Sequence, residues 1–129
     1  LQINLDDRLN ERKLGNLEEI AIFMKDKKTR DPSQEQLLYP KFKTSDGESA
    51  EETNKRMTEF LSKCLEEYKE KRVVIISHGG SIKFLLSNWC TVNNNMKLEY
   101  EGRELNITSP CLLKLTFKEK QLVNLEQIV

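Results

Sequence analysis

One histidine stands in these 129 residues, His78, and its neighbours give it a chemistry to do. It follows the β-branched run Val73 to Ile76 and Ser77, and it precedes Gly79-Gly80 and an apolar helical pattern through Ile82, Leu85-Leu86 and Trp89. That order reads as strand, tight turn, helix, and in open α/β sheets ligands bind in the crevice at the carboxyl end of such a strand. The free N–H groups and positive dipole end at the helix start favour an anion, phosphate above all. Two glycines let the backbone approach that anion closely. The plainer alternative is a histidine that caps a strand end and hydrogen-bonds a neighbouring loop.

The elements that must position His78 are read from periodicity. Val73 to Ser77 is expected as a parallel strand buried on both faces, and Ser81 to Trp89 as the helix after it. Ahead of them, Met57, Phe60-Leu61, Cys64-Leu65 and Tyr68 form a helical stripe, and Ser49-x-x-Glu52 is a capping box. A helix is therefore predicted from about Ala50 to Lys71. At the start of the chain Leu1, Ile3 and Leu5 alternate with Gln2 and Asn4 as in a half-buried strand, and Asp6-Asp7 ends it. Asn16 to Lys28 carries Leu17, Ile20 and Phe23-Met24 at helical spacing, with Asn16 as N-cap. Arg30 to Thr44 reads as loop around Pro32 and Pro40, with a short turn at Gln34 to Leu38. Cys111, Leu113, Leu115 and Phe117 alternate, a polar turn follows near Lys118 to Gln121, and Leu122 to Val129 completes a β-hairpin.

Composition removes several classes of function. Leu, Ile, Val and Phe supply 36 of 129 residues, enough for a packed core and against a disordered chain. The 21 Lys and Arg balance 21 Asp and Glu, so no overall field draws the chain to nucleic acid or to an anionic membrane. The longest apolar run, Val73 to Ile76, is far shorter than the roughly 20 residues of a membrane helix. Cys64, Cys90 and Cys111 are widely spaced with no C-x-x-C, which argues against a disulfide scaffold or zinc module and for a cytoplasmic setting. No G-x-S-x-G elbow and no P-loop occurs, so a hydrolase triad and P-loop nucleotide binding drop out.

The run from Val73 through Ser77-His78-Gly79-Gly80 to Lys83 resembles the second-histidine motif of the histidine phosphatase superfamily, the phosphoglycerate mutase-like proteins. Two further segments match in the family's order. Arg8-Leu9-Asn10-Glu11 with Gly15 resembles its RLxE…G segment, and Gly47-Glu48-Ser49 resembles the GES that opens a long helix. The resemblance implies a partial three-layer α/β fold with a mixed, mainly parallel sheet and a C-terminal antiparallel hairpin. It implies transfer of a phosphoryl group from small phosphomonoesters through a phosphohistidine, with no metal and no cofactor.

On that resemblance Glu11 matches the proton donor and His78 the second, phosphate-clamping histidine. Gly79 matches a backbone contact and Arg12 a substrate contact, while Glu48 and Ser49 cap the helix near the site. For Glu11 the alternative is a solvated loop carboxylate, and for Arg12 a surface charge. The nucleophilic histidine of the family's Arg-His-Gly motif has no counterpart, because Ser77 precedes the single histidine. Residues 1–129 are therefore expected to be the C-terminal part of one larger catalytic domain, inactive alone.

Their partners are expected to be a small phosphorylated metabolite or inorganic phosphate. A second copy or an exchanged element is expected to cover an exposed sheet edge. The glycolytic mutases carry Asn after the second His-Gly, Tyr after the acid and Lys on the next helix, where this chain has Gly80, Leu14 and Ile22. Those departures suit a phosphatase. The alternatives are a phosphoglycerate mutase proper, or a phosphate-binding scaffold without catalysis.

Overall fold

The computed structural model describes residues 2–129. A 3₁₀ turn at Asp7–Leu9, N-capped by Asp6, leads into an irregular loop and then α1, Leu17–Met24. Asn16 caps α1 by accepting the Glu19 N–H at 3.0 Å, and Glu18 and Glu19 sit in its favourable first turn. The short helix α2, Pro32–Gln36, starts at Asp31, with Pro32 at a position where a missing N–H costs nothing. Helix α3, Ala50–Glu67, opens with both halves of a capping box in place, Ser49 and Glu52 each accepting the other's backbone N–H at 3.0 Å.

Helix α3 ends at Glu67, four residues before the expected Lys71. Tyr68 leaves the helical region and Glu70 takes a left-handed φ of 60°. The apolar stripe stops at Tyr68, so nothing holds a further turn against the core.

Helix α4, Gly79–Leu86, packs along α3. Met57 and Leu61 of α3 and Phe84 of α4 are buried, and Asn54 Nδ2 donates to the Phe84 carbonyl at 2.6 Å. Two small antiparallel sheets follow. Strands β1 (Thr91–Val92), β2 (Leu98–Tyr100) and β3 (Arg103–Glu104) form a meander that periodicity does not foretell, since its strands are only two or three residues long. Strands β4 (Leu113–Lys118) and β5 (Gln121–Gln127) form the expected hairpin, closed by Glu119 and Lys120 in left-handed conformation. Leu86, Cys90, Leu98, Tyr100, Leu105 and Leu125 make one buried cluster between α4 and the two sheets.

The fold is thus α/β, with four helices and antiparallel sheets among the described residues, and it corrects two expectations. Val73 to Ser77 leads into α4 without regular secondary structure and forms no ladder, and no mainly parallel sheet or three-layer arrangement is present among the described residues. Among the described residues no backbone–backbone hydrogen bond involves residues 72–77, and Val74 and Ile76 are 85% and 84% exposed where burial on both faces was expected. A β-branched run becomes a strand only when a neighbour takes up its N–H and C=O groups, and none of the described residues does so. The same reason accounts for the start of the chain. Gln2 to Leu5 is irregular with Ile3 and Leu5 exposed, and Leu1 lies outside the described residues. Among the described residues no helix is long and apolar enough to cross a membrane.

Two substitutions test this packing by chemical denaturation. Phe84→Ala removes a fully buried ring and is expected to cost about 3–5 kcal/mol. Ser49→Ala loses one half of the capping box and is expected to cost about 1 kcal/mol.

Candidate functional site

The start of α4 lacks the usual means of satisfying its first amides. His78 occupies the N-cap position but its side chain makes no capping hydrogen bond, and Gly79 and Gly80 have no side chains to offer. The missing acceptor comes from about seventy residues away. Glu11 Oε1 accepts the Ser81 N–H at 2.8 Å and Oε2 accepts the Gly80 N–H at 3.1 Å. A carboxylate facing a helix N-terminus gains from both the hydrogen bonds and the dipole. The anion that the glycine-rich turn invites is therefore, in the first place, a side chain of the protein itself.

Gly80 is required by that approach. A Cβ there would stand 2.7 Å from Glu11 Oε1 and 2.8 Å from Arg12 Cδ, too close to be accommodated without displacing them. Gly79 is different: a Cβ on it would meet nothing within 4 Å, and its N–H has no partner among the described residues. The exposed His78 ring and the free Gly79 amide thus lie side by side at the open end of α4.

The loop beside them is tied down at several points. Arg12 turns across Gly80 toward α2, with Nε 3.4 Å from Gln36 Oε1, and its own N–H is accepted by Glu11 Oε1 at 2.9 Å. Glu48, just before α3, donates its N–H to the Lys13 carbonyl at 2.7 Å and accepts the Lys13 N–H at 3.2 Å. Arg56 of α3 grips the Glu48 carboxylate with two nitrogens, at 2.7 and 2.9 Å. Burial pushes the Glu11 pKa up, but the N–H groups of Arg12, Gly80 and Ser81 and the charge of Arg12 outweigh it and hold the carboxyl below its ordinary value. Glu48 behaves likewise, with burial opposed above all by Arg56.

Of the residues singled out in the sequence, Glu11, Arg12, Gly79 and His78 converge on the first turn of α4. Glu48 and Ser49 lie on the far side of the loop, where they start α3. Arg56, Ser77 and Ser81 join them although sequence reading does not select them. Arg56 reads as one more charge on an amphipathic helix, and the only signal for the serines is their place on either side of His78-Gly79-Gly80.

A profile of the histidine phosphatase superfamily (branch 1) matches residues 1–127. The chain belongs to that superfamily. No curated protein and no solved structure matches it. Proteins of that superfamily act on phosphorylated substrates.

The geometry makes two expectations about this histidine phosphatase relative. Gly80→Ala should displace Glu11 and cost about 1–3 kcal/mol, as overpacking does, whereas Gly79→Ala should stay within about 0.5 kcal/mol of the parent in the same denaturation experiment. Because the folded Glu11 pKa lies below the ordinary 4.5, its share of stability is present above that value and is lost as pH falls through the folded pKa. Glu11→Gln should therefore flatten the acid limb of the stability curve relative to the parent.

Proposed function

We propose that residues 1–129 carry the phosphate-clamping and proton-donating part of a phosphatase site that acts on small phosphomonoesters through a phosphohistidine. In this reading His78 and the Gly79 N–H bind the phosphoryl oxygens, Arg12 contacts substrate, and Glu11 protonates the leaving oxygen. The observation that carries it is the meeting of Glu11 with the His78-headed terminus of α4, two segments about seventy residues apart, in a chain of this superfamily.

The chemistry is consistent with the local electrostatics. Growing negative charge on a transferring phosphoryl group needs preorganised donors, and an exposed imidazole beside a free amide at a positive helix end supplies them. Glu11 is ionised at rest and must first take up a proton. A phosphoryl group brought beside it raises its pKa by like-charge repulsion, which turns a bound carboxylate into an acid at the moment a leaving alkoxide needs one.

The nucleophile is proposed to come from a strand that pairs with Val73 to Ser77. Residues 72–77, without a backbone partner among the described residues, and the exposed side chains of Val74 and Ile76 support that reading. An uncovered edge of this kind invites pairing with another chain, so these 129 residues are expected to dimerise or exchange elements at micromolar concentration, which sedimentation reads directly. The three free thiols fit a reducing, cytoplasmic setting. Gly80, closed to any side chain by Glu11 and Arg12, favours a phosphatase over a mutase that has Asn at that place. A single histidine also suits a second reading, a phosphate-binding module without turnover.

Phosphate titration followed by the His78 ring resonances tests the clamp. A shift that saturates is expected, and an unmoved ring at high phosphate would overturn the role given to His78. The 129 residues alone should not hydrolyse a simple phosphomonoester. Turnover abolished by His78→Ala would make His78 the nucleophile and reverse the assignment.

A further inference from the structure

Three successive carbonyls, two in the Asp7–Leu9 turn and one in the loop that follows it to Glu11, are each held by a side chain from another part of the chain. Arg56 Nη1 of α3 donates to the Arg8 carbonyl at 2.6 Å. Ser77 Oγ donates to the Leu9 carbonyl at 2.7 Å, and Ser81 Oγ of α4 donates to the Asn10 carbonyl at 2.7 Å. The next residue is Glu11. Its other side is fixed too, through Lys13 and Glu48, and Glu48 is the carboxylate that orients Arg56.

Partly exposed loop carbonyls do not need such donors, because water satisfies them. What water cannot supply is a fixed position. A loop has no ladder to set its register, so a side chain on it stands only where the ties to its backbone put it. The serines sit where those ties matter for the site. Ser77 immediately precedes His78, and the carbonyl it holds lies two residues before Glu11. Ser81, fully buried, holds the carbonyl just before Glu11 and also brings its hydroxyl to 3.2 Å from Glu11 Oε1. Together they bind the backbone of the candidate acid to the backbone of the candidate phosphate ligand.

We propose that Ser77, Ser81 and Arg56 are positioning residues that set where the Glu11 carboxylate stands relative to His78. Its purpose in proton transfer rests on the phosphatase reading, while the geometric link stands apart from it. Proton transfer tolerates errors of only about 0.5 Å, which is why a loop-borne acid needs a clamp of this kind.

The test follows the Glu11 side-chain carboxyl carbon by NMR titration in the 129-residue chain and in Ser77→Ala, Ser77→Thr, Ser81→Ala and Arg56→Met, with a thermal melt of each. The parent is expected to titrate below the ordinary glutamate range. In Ser77→Ala and Ser81→Ala the midpoint should move up toward that range, since a loosened loop engages the α4 amides less, and Ser77→Thr should restore the parent midpoint by keeping the hydroxyl. Arg56→Met should move it the same way as the alanine variants.

A Glu11 midpoint unchanged in folded Ser77→Ala and Ser81→Ala overturns the proposal, as does a shift that Ser77→Thr fails to reverse. Should Ser81→Ala not fold, the Ser77 pair at the less buried position decides the matter alone. Phosphate titration of the His78 ring in the parent separates the two claims. A silent ring there removes the phosphatase reading, and the Glu11 titration still judges the clamp.

Discussion

The carboxylate of Glu11 against the first amides of α4 is the contact on which the rest of the site depends. A helix terminus buried at Gly80 and Ser81 cannot leave its N–H groups without acceptors, and the residues that ordinarily supply one are here a histidine that does not cap and two glycines. The acceptor is therefore imported across about seventy residues of chain. That need explains Gly80, which has to be bare for the carboxylate to arrive, and it explains why the loop before Glu11 is held by side chains of α3 and α4.

Behind that contact stands a helix pair that fixes the direction of α4. Met57, Leu61 and the fully buried Thr53 and Phe84 pack α3 on α4, and Asn54 and Asn88 add hydrogen bonds across the seam, to the Phe84 carbonyl and Thr58 Oγ1. The capping box of α3 does double duty. Its first residue follows Glu48, so the geometry that starts the helix also delivers the carboxylate that orients Arg56 and holds Lys13. On the other flank Asp31 caps α2 and pairs with Lys83 of α4 at 2.9 Å, which sets α2 where Gln36 can meet Arg12.

How much of this was legible from residue types follows from whether each feature is local. Asn16, the Ser49/Glu52 box and the alternation of Leu113, Leu115 and Phe117 specify their elements through neighbours within a few positions, and those elements form. Val73 to Ile76 carries an equally strong pattern, yet a strand is defined by a partner remote in sequence, and among the described residues that partner is not present. The glycine-rich turn announced an anion and left open whose. Glu11 answered that by position, while Arg56, by its neighbours in sequence one more charge on an amphipathic helix, could be recognised only after folding brought it to the Arg8 carbonyl.

The Glu11 contact also makes the protein its own competitor. A tethered group meets its site at an effective concentration on the order of millimolar even on a loose linker, and this tether is pinned on both sides. An incoming anion therefore finds the Gly80 and Ser81 amides already saturated by an internal ligand, and is left with the outward-facing Gly79 amide and the His78 ring. Affinity at this terminus is consequently a difference between two anions instead of a property of the helix. Any ligand that captures the inner amides must do so by setting the carboxylate free.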